Sequence, residues 1–383
     1  MKRRIGITGQ AGFVGTHLFH MLGLQPDRYE RVPFQDAYFQ DTESLREFVA
    51  SCDVIVHLAA VNRCDSDEEL YETNLRLVRQ LTEAMDAVEA KPHVLFSSSI
   101  QESRENAYGR SKREGRRMLE EWASRAGAEF TGLVIPNVFG PFGRPNYNSF
   151  VATFAYRLTH GEEPQVQVDA DIPLIYVGSL CRHILRIVDH DFDALPVEET
   201  ALGIRSIRVP EDFTRKVTDV LALFKAYRDA YLERGELPAL ADRNEVNLFN
   251  TFRSYIDLSS HNPVPLTLHT DPRGSFVETI RLQCGGQVSF STTHPGITRG
   301  EHYHTRKVER FTVIKGKARI RLRRIGTDEV LSYDIDGEHP AFVDMPVWYT
   351  HNVTNIGDDD LYMQFWISEW YDPSDADTYF EKV

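Results

Sequence analysis

Arg4-Ile5-Gly6-Ile7-Thr8-Gly9-Gln10-Ala11-Gly12-Phe13-Val14-Gly15 opens the chain with a short apolar run and three glycines at three-residue spacing. Arg4 to Thr8 reads as a buried strand, and Leu18 and Leu22, one turn apart, carry the stretch on as a helix. A glycine loop between strand and helix turns tightly and lets a pyrophosphate approach the backbone. The helix N-terminus then offers unpaired N–H groups and the positive end of its dipole. The alternation continues downstream. Asp53 to Ala60 is a second apolar strand, and Glu68 to Val88 is helical with Leu70, Leu77 and Leu81 on one stripe. His93 to Ser97 reads as a strand, Tyr108 to Ala126 as a helix and Phe130 to Ile135 as a strand. Strands alternating with helices predict an α/β fold, a doubly wound parallel sheet covered on both faces.

The pattern weakens after Pro210, although Val217 to Leu232 still reads as a helix. Glu236 to Pro265 is mixed and polar, and reads as a connection. After Thr267 come short alternating runs, such as Arg310 to Arg323 and Asp360 to Ile367, separated by Gly and Asp turns. That is antiparallel β structure, a barrel or jelly roll. The division expected is a dinucleotide-binding domain with linker over residues 1–250 and an all-β domain over 262–383. Within the latter, His302 and His304 point the same way from a strand, because side chains alternate faces with period two. Glu309 and the distant His351 can complete a site of three nitrogens and one oxygen, a set that suits a divalent metal such as zinc.

Composition narrows the partners. The chain has 383 residues, enough for two or three domains, and a formal net charge of −14. An acidic balance argues against general binding to nucleic acid or an anionic membrane. Cys52, Cys64, Cys181 and Cys284 form no CxxC pair, as expected in a reducing cytoplasm. The apolar run ending at Gly9 is too short for a signal-peptide core. No run approaches the roughly 18 residues a bilayer span needs.

Tyr108-Gly109-Arg110-Ser111-Lys112 begins a helix, so phenol and ammonium share one face a turn apart. A lysine cation there is expected to depress the phenol from near 10 toward useful acid–base chemistry. Ser97-Ser98-Ser99 ends the preceding strand at the edge where open parallel sheets bind ligands. Thr8-Gly9-x-x-Gly12-x-x-Gly15, His57-Leu58-Ala59-Ala60, Phe96-Ser97-Ser98-Ser99, Tyr108-x-x-x-Lys112 and Pro136-Asn137-Val138-Phe139-Gly140-Pro141 occur in the order of the extended short-chain dehydrogenases/reductases. About Met1 to Leu232 resembles that family. The resemblance implies a Rossmann-like domain, NAD(P) as cofactor, and Ser99, Tyr108 and Lys112 as the catalytic group. It sets Gly9, Gly12, Phe13, Val14, Gly15, Leu58 and Ala59, with Tyr108 and Lys112, against the cofactor. Asn137, Arg144, Asn148 and Ser149 are the expected sugar-nucleotide contacts. Two departures stand out: the serine-to-tyrosine spacing is short, and Tyr176-Val177-Gly178-Ser179 lacks an aspartate after its valine. No decisive acid ends the second strand near Arg28 to Phe34, which leans toward NADP, while Asp36 leaves NAD open.

Gly300-x-His302-x-His304-x-x-x-x-Glu309-x-x-x-x-x-x-Gly316 resembles the first cupin motif. Pro346-x-Trp348-x-x-His351-x-x-x-Asn355 resembles the second, with Trp348 where glycine is usual. That likeness implies His302, His304, Glu309 and His351 as metal ligands. Asp271-Pro272-Arg273-Gly274-Ser275-Phe276 and Thr298-Arg299-Gly300-Glu301-His302 also resemble metal-independent dTDP-sugar 3,5-epimerases, in which His302 is the base and Arg273 meets substrate. His302 is thus ligand or base. The order reductase-then-cupin resembles the bifunctional capsular-polysaccharide enzymes. It implies that the cupin epimerises carbon 3 of a UDP-2-acetamido-2,6-dideoxy-4-hexulose. The reductase would then reduce the C4 ketone with NADPH to UDP-2-acetamido-2,6-dideoxy-L-talose, a step toward UDP-N-acetyl-L-fucosamine for capsule or O-antigen. A homodimer is expected. A monofunctional reductase or epimerase, with the cupin as a dimerisation module, is the other expectation.

Overall fold

The computed structural model describes residues 2–193 and 195–383. The chain divides into two compact units, Met1–Phe150 with Ala170–Lys216, and Val151–Asp169 with Val217–Val383. Along the chain run β1 (Arg3–Thr8), α1 (Phe13–Gly23), β2 (Tyr29–Val32), α2 (Thr42–Ala50), β3 (Val54–His57), α3 (Asp67–Ala87), β4 (His93–Ser99), α4 (Ala107–Ala126) and β5 (Phe130–Ile135). Next come β6 (Asn137–Phe139), α5 (Phe150–Thr159), β7 (Asp171–Tyr176), α6 (Val177–Val188), β8 (Val197–Ala201), β9 (Ile204–Arg208) and β10 (Phe213–Lys216).

The first unit is Rossmann-like. Seven strands lie in the order β2-β1-β3-β4-β5-β9-β8, and only the β8–β9 pair is antiparallel. The strands are near-continuous apolar runs because both faces are covered by helices. Ile55, Val94, Phe96, Leu119, Trp122 and Phe130 form the heart of one core. β1 and β3 neighbour each other while the chain crosses from one side of the sheet to the other, which opens a ligand crevice at their carboxyl ends. A small sheet, β10-β7-β6, flanks this arrangement. At Tyr176, Asp212 Oδ2 accepts the backbone N–H at 2.7 Å, so a carboxylate from further along the chain supports the turn into α6.

The second unit includes α5 and resumes with α7 (Val217–Tyr227), which runs into a π-helical turn at Arg228–Leu232. The 236–265 stretch, expected as a connection, contains α8 (Arg243–Arg253) and α9 (Leu258–His261). The start signal of α8 is a reciprocal cap: Asp242 accepts from Glu245 N–H at 2.9 Å, and Glu245 accepts from Ala241 N–H at 3.0 Å. Strands follow: β11 (Val264–Pro265), β12 (Leu268–Asp271), β13 (Gly274–Val277), β14 (Gln287–Thr293), β15 (Thr298–Tyr303), β16 (Glu309–Lys315), β17 (Lys317–Arg324), β18 (Val330–Asp336), β19 (Ala341–Met345), β20 (Tyr349–Asn355), β21 (Leu361–Ile367) and β22 (Tyr379–Phe380). They build two five-stranded antiparallel sheets, β11-β19-β16-β21-β14 and β18-β17-β20-β15-β22, plus the hairpin β12-β13. Gly316, at φ +94°, breaks the Arg310–Arg323 run into two strands. Phe311, Ile320, Val343, Val353 and Met363 pack between the sheets. Outside that core, Arg310 and Asp344 are buried as a two-point ion pair (2.8 and 2.9 Å), with Tyr231 Oη donating to Asp344 at 2.6 Å. This network ties the π-helical turn to the wall of the β structure.

Candidate active sites

In the first unit, Gly9 turns β1 into the loop at φ +69°, and Gly12 caps α1. A Cβ on Gly15 would stand 2.3 Å from the Gly9 carbonyl oxygen and 2.8 Å from that of Gln10. The loop therefore closes against its own backbone and leaves the α1 N-terminus bare of side chains. A Cβ on Gly9 would meet Ala59 backbone at 2.9 Å, so the loop and the end of β3 lie in contact. Thr8 Oγ1 bridges the same two strands, 2.7 Å from His57 Nδ1.

Asn106 starts α4 by accepting the Gly109 N–H at 2.7 Å, which sets Tyr108 and Lys112 on the face toward β4. Lys112 is buried and donates to the Ser97 carbonyl at 2.8 Å. Its ammonium lies 5.7 Å from the Tyr108 ring centroid and 5.1 Å from that of Phe96. The expected depression of the phenol is not what the free chain shows. Burial, helped by the nearby Tyr147, pushes the Tyr108 phenol up to about 12. Burial likewise pushes Lys112 down to about 8. The physical reason is that the lysine is itself desolvated and its proton is committed to the Ser97 carbonyl. Of the three serines, Ser97 donates to the His57 carbonyl at 3.2 Å and Ser98 donates to Glu102. Ser99 Oγ accepts the Gln101 N–H at 3.2 Å, capping the short 3-10 turn that replaces a longer loop.

Arg144 lies over the Tyr147 ring at 4.9 Å, and Tyr147 Oη accepts the Asn62 N–H at 3.3 Å. Tyr147 was not among the sequence candidates. Its signal was position alone, between Arg144 and Asn148. Asn137 sits in β6 paired with Leu174.

A pH effect follows from Lys112. Its pKa in the fold lies below its ordinary 10.5, so the unfolded chain binds more protons between about pH 8 and pH 10.5, and stability rises with pH across that window. Chemical denaturation at pH 7.5 and 9.5 should show wild type gaining about 2 kcal/mol from this group, a gain that Lys112→Met lacks.

In the second unit the β15–β20 register sets His302 opposite His351. Gly300, at φ +101°, has no room for a Cβ, which would meet the His351 carbonyl at 2.7 Å. Glu309 begins β16 on the facing sheet. The ligand atoms of His302, His304, Glu309 and His351 all lie within 4.8 Å of one another. Glu309 Oε2 is 3.0 Å from His304 Nε2 and 3.3 Å from His351 Nε2. These three atoms are buried, yet none makes an aligned hydrogen bond. Buried polar atoms without partners are costly, and a cation among them would satisfy all three. His304 Nδ1 donates to the Asp377 carbonyl at 2.5 Å, so Nε2 is the nitrogen turned toward Glu309; burial works against the charged ring, but Glu309 outweighs it and raises the His304 pKa. The Asp377 carboxylate in turn accepts backbone N–H groups of Thr305, Arg306 and Lys307.

His302 differs from its neighbours: it is only half-buried. Burial, with His351 and His304 beside it, pushes its pKa down to about 4. Burial alone would raise Glu309, but His304 and His351 outweigh it and hold the carboxyl well below the usual range. Trp348, standing where a glycine was expected, adopts the glycine-like conformation at φ +62°. Burial and stacking on Tyr303 (centroids 5.8 Å) hold it there. Arg273 occupies the tip of the β12-β13 hairpin, 90% exposed, and pairs with Asp271 at 2.6 Å.

Comparisons with known proteins agree with both halves. Residues 5–198 match the NAD dependent epimerase/dehydratase family, and residues 269–379 match the polysaccharide biosynthesis C-terminal domain. The chain is 33% identical, over 98% of both sequences, to UDP-2-acetamido-2,6-beta-L-arabino-hexul-4-ose reductase of Pseudomonas aeruginosa. It is 34% identical to the capsular polysaccharide assembling protein CapF of Staphylococcus aureus, covering 99% of this chain and 100% of that one at a TM-score of 0.62. RMD from Pseudomonas aeruginosa, solved with NADPH, shares the fold of the first unit at 19% identity, TM-score 0.52, over 60% of this chain and 84% of that one.

Proposed function

The chain belongs to the NAD dependent epimerase/dehydratase family, and from that premise we propose that it is a two-step, CapF-like enzyme that epimerises and then reduces a nucleotide sugar for polysaccharide synthesis. The substrate we assign is a UDP-2-acetamido-2,6-dideoxy-4-hexulose and the product UDP-2-acetamido-2,6-dideoxy-L-talose, by analogy with the Pseudomonas aeruginosa relative's substrate name.

The hydrogen on carbon 3 is acidic because the neighbouring C4 ketone takes up the charge. Reduction of that ketone removes the acidity, so the β domain acts before the Rossmann-like unit. In the β domain, His304, Glu309 and His351 are the principal ligands, the two-histidine, one-glutamate set that leaves a further position open. These residues would hold a divalent metal, zinc first by ligand type, which when bound would supply positive charge to stabilise the enolate. His302, half-buried and neutral, takes the C3 proton on its imidazole nitrogen. Solvent returns a proton to the opposite face.

In the first unit, the α1 N-terminus and the Gly9–Gly15 loop would hold the pyrophosphate of NADPH, which when bound would supply the hydride for the C4 ketone. Tyr108 Oη gives its proton to the C4 oxygen, Lys112 holds the nicotinamide ribose, and Ser99 orients the carbonyl. A phenol kept protonated by burial is suited to donate. Asn137, Arg144, Asn148 and Ser149 are the proposed sugar-nucleotide contacts. NADP is favoured over NAD because no acid ends β2. Arg31 does not contribute, since its guanidinium lies over the Phe19 ring at 4.4 Å. We assign the working state as a cytoplasmic homodimer. The exposed Val288 and Phe290 on the edge strand β14 fit a second copy.

The observation that carries the two-step reading is the buried trio of His304 Nε2, Glu309 Oε2 and His351 Nε2, with both nitrogens drawn to within 3.3 Å of the carboxylate without an aligned hydrogen bond. The test is His302→Ala. It should lose deuterium uptake at carbon 3 while retaining bound metal, and loss of both would make His302 a ligand instead. On the cofactor side, Gly15→Ala should weaken NADPH binding roughly 10- to 100-fold, because a Cβ against the Gly9 carbonyl forces about 1–3 kcal/mol of backbone strain. Quenching of nucleotide fluorescence measures it.

A further inference from the structure

We infer that His93, Glu129 and His190 form a second divalent-metal site, in the first unit and independent of the β domain. Their ligand atoms lie within 4.8 Å of one another. His93 begins β4, Glu129 stands just before β5, and His190 follows the end of α6, so three segments distant in sequence converge. His190 is brought there by a left-handed backbone (φ +56°), and its ring stacks on His93 with centroids 5.7 Å apart and planes at 17°. His190 Nδ1 lies 3.6 Å from Glu129 Oε2.

A second observation points to a ligand. The His93 side chain is buried, at 6% exposure, and its Nδ1 has no hydrogen-bond partner. Its other nitrogen, Nε2, is engaged by Thr131 Oγ1 at 2.9 Å. One ring nitrogen engaged by a polar partner, with the other left buried without one beside a carboxylate and a second imidazole, is the arrangement that metal-ligating histidines share.

Arg205 sets the strength. Its Nη1 lies 3.2 Å from Glu129 Oε2, a competing cation. Its Nη2 also lies 3.4 Å from Glu199, so it keeps a partner if Glu129 turns to a metal. Two imidazoles and one carboxylate select borderline ions such as zinc, cobalt or nickel over magnesium or calcium. The site is structural. His93 and Ser99 are the two ends of β4, about 20 Å apart at 3.3 Å per residue, so the cluster lies away from the edge that carries Tyr108. A metal there staples the starts of two strands to the end of α6.

The full-length protein, stripped with a chelator and titrated with Co2+, tests this by visible absorption and elemental analysis. Wild type should take up two equivalents. His190→Asn, whose new side chain tolerates the left-handed backbone, and Glu129→Gln should each take up one. If both variants bind as much Co2+ as wild type, the site does not exist. His304→Ala separates this claim from the proposed function. It should lose the other equivalent, and if it loses none the β-domain reading fails while this one stands.

Discussion

Tyr108→Phe should reduce NADPH oxidation with the ketosugar by roughly 10²–10⁴-fold, the range that a positioned general acid contributes. The variant removes one oxygen from a half-buried ring, and the ring's packing over Lys112 is kept, so stability should change little. Two features make the effect specific. Burial holds the phenol protonated, up to about 12, so in the free chain it is an acid waiting for an acceptor. The Lys112 ammonium, lowered to about 8, lies 5.7 Å from that ring's centroid and donates to the Ser97 carbonyl at 2.8 Å. C3 deuterium exchange should persist in this variant, because the β domain does not use Tyr108. Steady-state NADPH absorbance and mass spectrometry of recovered sugar measure the two steps separately.

Glu309→Gln should strip the metal from the β domain and abolish C3 exchange, while ketone reduction of a pre-epimerised substrate survives. Losing an outer partner of a metal ligand already costs roughly 10–100-fold in affinity, and Glu309 is the carboxylate shared by His304 and His351, at 3.0 and 3.3 Å. The amide is nearly isosteric, so the fold should hold. It cannot supply the negative charge that offsets a divalent ion in a site this buried. Elemental analysis should find that metal gone, and thermal unfolding should no longer respond to added zinc through this site. Unchanged metal content would remove Glu309 from the ligand set.

Much of this was legible in the residues. The parallel sheet followed from apolar runs alternating with amphipathic helices, and the Gly9–Gly15 loop formed where its spacing placed it. His302, His304, Glu309 and His351 meet because period two along β15 and pairing with β20 are local rules with few exceptions. What escaped was set by contacts between distant segments. Asp377 holds His304 and the 305–307 turn from more than 70 residues away, and no spacing announces that. Tyr147 reaches the neighbourhood of Tyr108 through a loop that only the fold positions. The phenol's pKa rises instead of falling because of burial, invisible in sequence, with Tyr147 adding to it. The capped helix α8 was hidden by a polar composition, although Asp242 and Glu245 carried its start signal.

The most direct test of two chemistries on one substrate uses wild-type protein and the UDP-linked 4-ketosugar in deuterated water, with NADPH left out. The expected result is deuterium at carbon 3 at a rate that falls away in Glu309→Gln, followed, once NADPH is added, by a labelled and reduced sugar. If no deuterium enters at carbon 3 before NADPH is added, the β domain does not move that proton and the two-step account is wrong.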